Sequence, residues 1–67
     1  MDIQVIDLPE LGIRRVAVSG MNNNVYLLTA HSGDQLLIDA AAEPEAISAL
    51  LASAPGTLRG VLTTHSH

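Results

Sequence analysis

The segment from residue 35 to residue 64 most constrains the fold, because it joins two apolar runs through a stretch that favours a helix. The runs, residues 35–39 and 58–64, are rich in Leu, Ile, Val and Thr and have the length of strands. Two strands joined through a helix pair in parallel, with a right-handed crossover. The sequence therefore predicts a strand–helix–strand unit.

The predicted helix extends from Pro44 to about Ser53, with Pro at the first helical position and a Pro-Gly pair shortly after its end. Ile47, Leu50 and Leu51 fall at positions i, i+3 and i+4, so they share one face of the helix. Leu36-Leu37-Ile38 is a continuous apolar run, which favours a strand that is covered on both faces. We expect the helix to supply one cover.

Three further strands are predicted before this unit, at residues 3–6, 13–18 and 25–30. They are separated by breaks that contain Pro, Gly, Asn, Ser or Asp, and the last break, residues 31–34, is typical of a hairpin. The predicted order is β-β-β-β-α-β, an α/β (α+β) fold. Its single domain occupies residues 1–67.

Composition excludes several classes of function. The 67 residues contain no Cys, Trp or Phe, so the core is aliphatic and neither a disulfide framework nor a thiolate metal site can form. The chain has seven acidic residues, three arginines and no lysine, and its net charge is −4. This charge balance argues against binding nucleic acid. The start lacks the basic region of a signal peptide, and no apolar run is long enough to cross a membrane. We therefore expect a cytoplasmic protein without a membrane partner.

His65 and His67 are candidate metal ligands, because they lie just past the last predicted strand. Residues i and i+2 of an extended chain point to the same side, and neutral imidazole is a common zinc ligand. Sites in open α/β sheets form at the carboxyl ends of strands, where Asp39 ends the neighbouring parallel strand. From the spacing alone, two solvated histidines are the simpler interpretation.

A longer pattern resembles a known family. Asn24-Val25-Tyr26-Leu27-Leu28, the run 36–39, the helix and the segment Gly60-Val61-Leu62-Thr63-Thr64-His65-Ser66-His67 together resemble the start of the metallo-β-lactamase-fold hydrolases, which include glyoxalase II. The resemblance covers nearly the whole chain and is strongest from Asn24 onward. It implies the amino-terminal half of an αβ/βα sandwich, interrupted inside the family's His-x-His-x-Asp-His metal motif.

The resemblance also implies roles for individual residues. His65 and His67 are similar to the first two ligands of the family's first metal ion, and Asp39 to the buried aspartate that supports the metal loop. Asn24 and Tyr26 match the family's Asn-x-Tyr-Leu strand. Asp39-Ala40-Ala41 departs from the family, which generally has a small residue and then Gly after the aspartate.

The activity implied is hydrolysis of an ester, thioester or amide by hydroxide formed at two metal ions, expected to be zinc, with iron or manganese as alternatives. The substrate would be a small molecule. A catalytic zinc site needs three protein ligands and an open position, whereas this chain offers two histidines. We therefore expect the 67 residues alone to be inactive, and to self-associate or to require the other half of the sandwich.

Two alternatives remain open. The chain could be a non-catalytic small α/β interaction module or remnant, or its two terminal histidines could bind metals loosely and unselectively. The other polar residues have ordinary interpretations. We expect His31 and Asp34 to be turn residues, and Arg14-Arg15 to lie on the solvent face of a strand.

Overall fold

A computed structural model describes residues 3–18, 23–39 and 44–63. Over these residues the chain forms one five-stranded sheet and one helix. The elements are β1 (Ile3–Asp7), β2 (Leu11–Val18), β3 (Asn23–Ala30), β4 (Asp34–Asp39), α1 (Pro44–Ser53) and β5 (Thr57–Thr63). The predicted order and the bounds of the helix are confirmed. The strands begin or end one or two residues away from their predicted positions.

The sheet is mixed, with the strand order β1-β2-β3-β4-β5. The first four strands form antiparallel neighbours, whereas β4 and β5 are parallel. The parallel pairing predicted for the strand–helix–strand unit is therefore confirmed. The described chain is a small α+β fold. In chain order, α1 connects β4 to β5, the only two parallel strands in these ranges.

Two tight turns set the register of the antiparallel part. Leu8 and Leu11 exchange both backbone hydrogen bonds across Pro9-Glu10, at nitrogen–oxygen distances of 2.9 and 3.4 Å. In the β3–β4 hairpin, the amide of Gly33 donates to the carbonyl of Ala30 at 2.9 Å. Gly33 has φ of +96°, a conformation that side chains with a Cβ rarely adopt. The predicted hairpin of residues 31–34 is thus confirmed, with Asp34 as the first residue of β4.

The core lies between α1 and one face of the sheet. Ala46 and Leu50 of the helix are fully buried, and Ile47 and Leu51 pack against the same cluster. This is the helix face that the i, i+3, i+4 spacing predicts. The sheet contributes mainly from β2, β3 and β4, through Val16, Val25, Leu27 and Leu37.

The opposite face of the sheet is open among the described residues, so the helix supplies one of the two covers predicted for residues 36–38. Leu37 is buried on the helix side, but Leu36 remains 37% exposed. The helix packs on β2 and β3 rather than on β5. At the edge of the sheet, Val61 and Leu62 therefore stay exposed on opposite faces of β5. A continuous apolar run indicates that a strand can be buried on both faces. The described residues bury this strand on the helix face alone.

Hydrogen bonds join the end of α1 to the β3–β4 hairpin. Gln35 is only 4% exposed, and its Nε2 donates to the Thr29 hydroxyl and to the Ala54 carbonyl, each at 3.1 Å. Close by, the amide of Thr57 donates to the carbonyl of Gly33 at 2.9 Å. The buried amide of Gln35 therefore satisfies a carbonyl that the end of the helix leaves without an intrahelical partner.

The two arginines of β2 lie on opposite faces, because side chains alternate along a strand. Arg15 is paired across the strands with Gln4 and hydrogen-bonds to its side chain on the open face. Arg14 is aligned with Leu27 on the helix side and is half-buried. The prediction of one solvent face for both residues is therefore wrong for Arg14.

Candidate metal centre

The carboxyl ends of β4 and β5 lie side by side, as the predicted metal site requires. In the parallel register, Ile38 is aligned with Leu62 and Asp39 with Thr63. Neighbouring strands are about 4.8 Å apart. The backbone of Asp39 is thus next to a residue that precedes His65 by two positions.

The other residues of the candidate site differ in how far they can be followed. Asn24 and Tyr26 lie in β3, and Val25 between them is fully buried and aligned with Asp39. His65 and His67 lie outside the described residues, as does the turn at Ala40 and Ala41. The described residues therefore include the strand that leads to the predicted ligands and its parallel neighbour. They do not include the ligands themselves.

No group of three or more His, Asp or Glu side chains that could hold a metal ion occurs in residues 3–18, 23–39 and 44–63. His31, the one histidine in these ranges, is exposed in the β3–β4 hairpin. Its neighbour Asp34 and the strand end at Asp39 are separated by the length of β4, about 17 Å. His31 is therefore remote from the candidate metal edge, in agreement with its prediction as a turn residue.

The charges of the hairpin end form an ion pair that the sequence did not indicate. Arg59 Nε donates to Asp34 Oδ1 at 3.0 Å, and both side chains are more than half exposed. The hydrogen bond from Arg59, together with its positive charge, lowers the pKa of the Asp34 carboxyl. Arg59 is the residue that the register skips, between the Gln35–Leu58 and Leu36–Gly60 pairs. This bulge places the guanidinium beside the start of β4.

A cleft of about 300 Å³ lies on the helix side at the same end of the sheet. It opens between the β1–β2 turn and the residues that follow α1, with Gly12 and Thr29 among its lining. Arg14, Asp7 and His31 also line it. Sequence reasoning missed this cleft, because its lining comes from three separate segments, residues 7–14, 29–31 and 54–55. The only signal available was a glycine inside a strand, which often marks close approach of other groups.

Comparisons with protein-family models, curated proteins and solved structures gave no match to this chain. A separate observation concerns membranes: across the described ranges, the structure has no helix of the length and apolar character that a bilayer crossing demands.

Proposed function

We propose that this chain forms the first sheet and the first metal ligands of a metallo-β-lactamase-fold hydrolase that acts on an ester, thioester or amide. In this proposal His65 and His67 bind one of two metal ions, and Asp39 supports the loop that carries them. The strand-and-helix half described here then has to be completed by a second half, which contributes the remaining ligands.

The alignment of Asp39 with Thr63 in the parallel β4–β5 pair is the observation that carries this proposal. Two residues of chain span at most about 7 Å, so His65 stays close to the strand end at Thr63. Asp39 ends one strand and the His-x-His pair follows the end of its neighbour by two residues, which supports assigning both to one edge of the sheet. That edge is the carboxyl edge, where open α/β sheets form their sites.

The open face of the sheet supports the same proposal. The register aligns Ile6, Ile13, Leu28 and Leu36 in one row across four strands. Ile6 is 51% exposed, and Leu62, on the same face one row further along, is 53% exposed. A sandwich buries such a face against its second layer.

The donor set suits zinc, and iron or manganese are further candidates. Two imidazoles at i and i+2 can bind one ion, and a carboxylate that accepts the second ring N–H fixes the orientation of a ligating histidine. Zinc bound there would supply Lewis-acid activation of water. The proposed role of Asp39 is then to orient a histidine. This role depends on the position of Asp39 beside Thr63 as well as on its charge.

The test is hydrolysis by the natural gene product, purified in full and assayed against ester, thioester and amide substrates. The proposal predicts metal-dependent turnover that is abolished by the double change His65→Ala, His67→Ala and by chelation. His31→Ala, which removes the hairpin histidine far from this edge, is the matched control and should retain activity. Turnover that survives the double change would contradict the proposal, and so would an absence of Asp and His at the second and third positions after His67.

A second candidate is a non-catalytic interaction module, and the row of Ile6, Ile13, Leu28 and Leu36, which is exposed at Ile6 and Leu36, is the observation that favours it. Large exposed apolar patches mark surfaces that bind other proteins. The same assay separates the two functions. A module would show no turnover with any substrate class, and it would lose its partner when Leu36 is changed to Gln, whereas the histidine changes would have no effect.

A further inference from the structure

The cleft near the β1–β2 turn lies at the opposite end of the sheet from the candidate metal edge. Its floor includes Gly12 and Thr29, one wall is the turn around Pro9, and the other is formed by Ala54 and Pro55 after the helix. A Cβ added at Gly12 would lie 3.6 Å from Asp7 Oδ1 and 3.8 Å from the Thr29 carbonyl oxygen. The cleft is therefore deeper at position 12 because that residue lacks a side chain.

Groups of both charges line this cleft without neutralising one another. Arg14 is half-buried, and in the described part of the chain its guanidinium makes no hydrogen bond or ion pair. Asp7 and Glu10 are exposed, the Asp7 carboxylate lies beside Gly12, and neither acid makes an ion pair with described residues. The carboxyl end of α1 adds partial negative charge beside Ala54. One cation and two acids thus line the same cleft, with no ion pair among them in the described part of the chain.

We infer that the cleft binds a small zwitterion of the α-amino acid class with an aliphatic side chain. Arg14 would receive the carboxylate through the paired N–H donors of its guanidinium. Asp7, helped by Glu10 and the end of the helix, would accept hydrogen bonds from the ammonium group. Leu8, Pro9 and the residues after the helix provide an apolar wall for the side chain.

The chemistry of the lining favours a zwitterion over simpler ligands. A lone anion would meet Arg14 but would also be repelled by two carboxylates, and a lone cation would leave the guanidinium without a partner. A ligand that carries both charges satisfies both sets of groups. This site is independent of the proposed hydrolase, because none of its residues lies near the ends of β4 and β5 at Asp39 and Thr63.

The test is a titration of the full chain with L-leucine, followed by two-dimensional amide NMR. Isocaproate, which lacks the ammonium group, and isoamylamine, which lacks the carboxylate, are the matched ligand controls. We expect saturable shifts confined to the β1–β2 turn, the start of the β3–β4 hairpin and residues 54–55. Leucine should bind about tenfold more tightly than either control, since each control loses one charged hydrogen-bonding group.

Variants then test which residue binds the carboxylate and which binds the ammonium group. Arg14→Gln should remove the advantage of leucine over isoamylamine, and Asp7→Asn should remove its advantage over isocaproate. Gly12→Val should block binding, because the first added carbon fits at ordinary contact distance while the two methyl groups extend into the cleft. Arg15→Gln is the matched control, because Arg15 lies on the opposite face of the same strand and pairs with Gln4.

The inference is overturned if leucine produces no saturable shifts at tens of millimolar, or if the three ligands bind equally. It is also overturned if Arg14→Gln and Arg15→Gln have the same effect. Should Arg14→Gln lose the dispersed spectrum of the folded chain, the comparison of Asp7→Asn with wild type decides, because Asp7 is exposed at the end of an edge strand.

Discussion

Gly56 lies in a close backbone contact, where the chain leaves α1 and enters β5. A Cβ at this position would lie 2.6 Å from the carbonyl oxygen of Gly33 and 2.7 Å from Cδ of the buried Gln35. Neither neighbour can move freely, because Gly33 accepts from the Thr57 amide and Gln35 binds the end of the helix. The contact between the two loops therefore depends on the absence of a side chain.

Gly56→Ala should lower the free energy of unfolding by about 1–3 kcal/mol, the usual cost of forcing an extra carbon into a packed site. Gly12→Ala is the matched control, since its Cβ would meet its neighbours at 3.6 Å and 3.8 Å. That change should leave stability within about 0.5 kcal/mol of the wild type. Urea unfolding of both variants checks the prediction, and equal effects would contradict it.

The Asp34–Arg59 pair should make a small, pH-dependent contribution to stability. Because the pKa of Asp34 in the fold is below its ordinary value of 3.8, the contribution is present above that value and is lost as the pH falls through the lowered pKa. Arg59→Gln should therefore destabilise the chain slightly at neutral pH and have no effect in stronger acid. Thermal unfolding across this range measures the difference.

Salt and a double-mutant cycle provide the controls for this pair. Both side chains are exposed, so high ionic strength should shrink the effect of Arg59→Gln. In the Asp34→Asn background, Arg59→Gln should have no further effect that depends on pH. An effect that persists in acid or in that background would mean that Arg59 acts through packing and not through its charge.

At the scale of the elements, α1 holds the sheet through very few large side chains. Leu50 is fully buried among residues of β2, β3 and β4, whereas Ser48 is exposed on the other side of the helix. Leu50→Ala should cost about 2–5 kcal/mol, a large part of the stability of a domain this small. Ser48→Ala should be nearly neutral. If circular dichroism showed equal melting temperatures for the two variants, α1 would not be part of the core.

The elements were largely predictable from the sequence, because each has a local cause. Pro44 and the Pro55-Gly56 pair define the two ends of the helix, and the alternation of apolar residues defines the strands. What could not be predicted depends on contacts between distant segments. The buried role of Gln35 needs the end of the helix beside β4, and the pairing of Asp34 with Arg59 needs the bulge in β5.

For the molecule as a whole, the open face of the sheet is the dominant surface. We predict that the 67-residue chain self-associates as its concentration rises, because burying Ile6, Leu36 and Leu62 removes apolar surface from water. Leu36→Gln should weaken the association. Val5→Thr is the matched control, because Val5 is also exposed but lies on the helix side of the sheet. Sedimentation that finds a monomer at every concentration would contradict the prediction.

The candidate site was predictable only in part. The sequence places Asp39 and the His65-x-His67 pair after strands of a parallel unit, and the register of β4 and β5 agrees with that placement. The remaining metal ligands are implied by the family resemblance alone. Neither the alternation of apolar residues nor the spacing of polar residues in this sequence predicts them. The cleft at the other end had no such local signature, because residues 29–31 and 54–55, which are distant in sequence, complete its lining beside the β1–β2 hairpin.

Zinc binding to the chain, measured by competition with a chromophoric chelator, tests the proposed metal site. We predict one zinc site that is lost in the His65→Ala, His67→Ala protein, weakened about 10–100-fold by Asp39→Asn, and unchanged by His31→Ala. That result would mean that the carboxyl edge of β4 and β5 holds the start of a metal site. Zinc affinity that is insensitive to Asp39, or that falls equally with His31, would contradict the account.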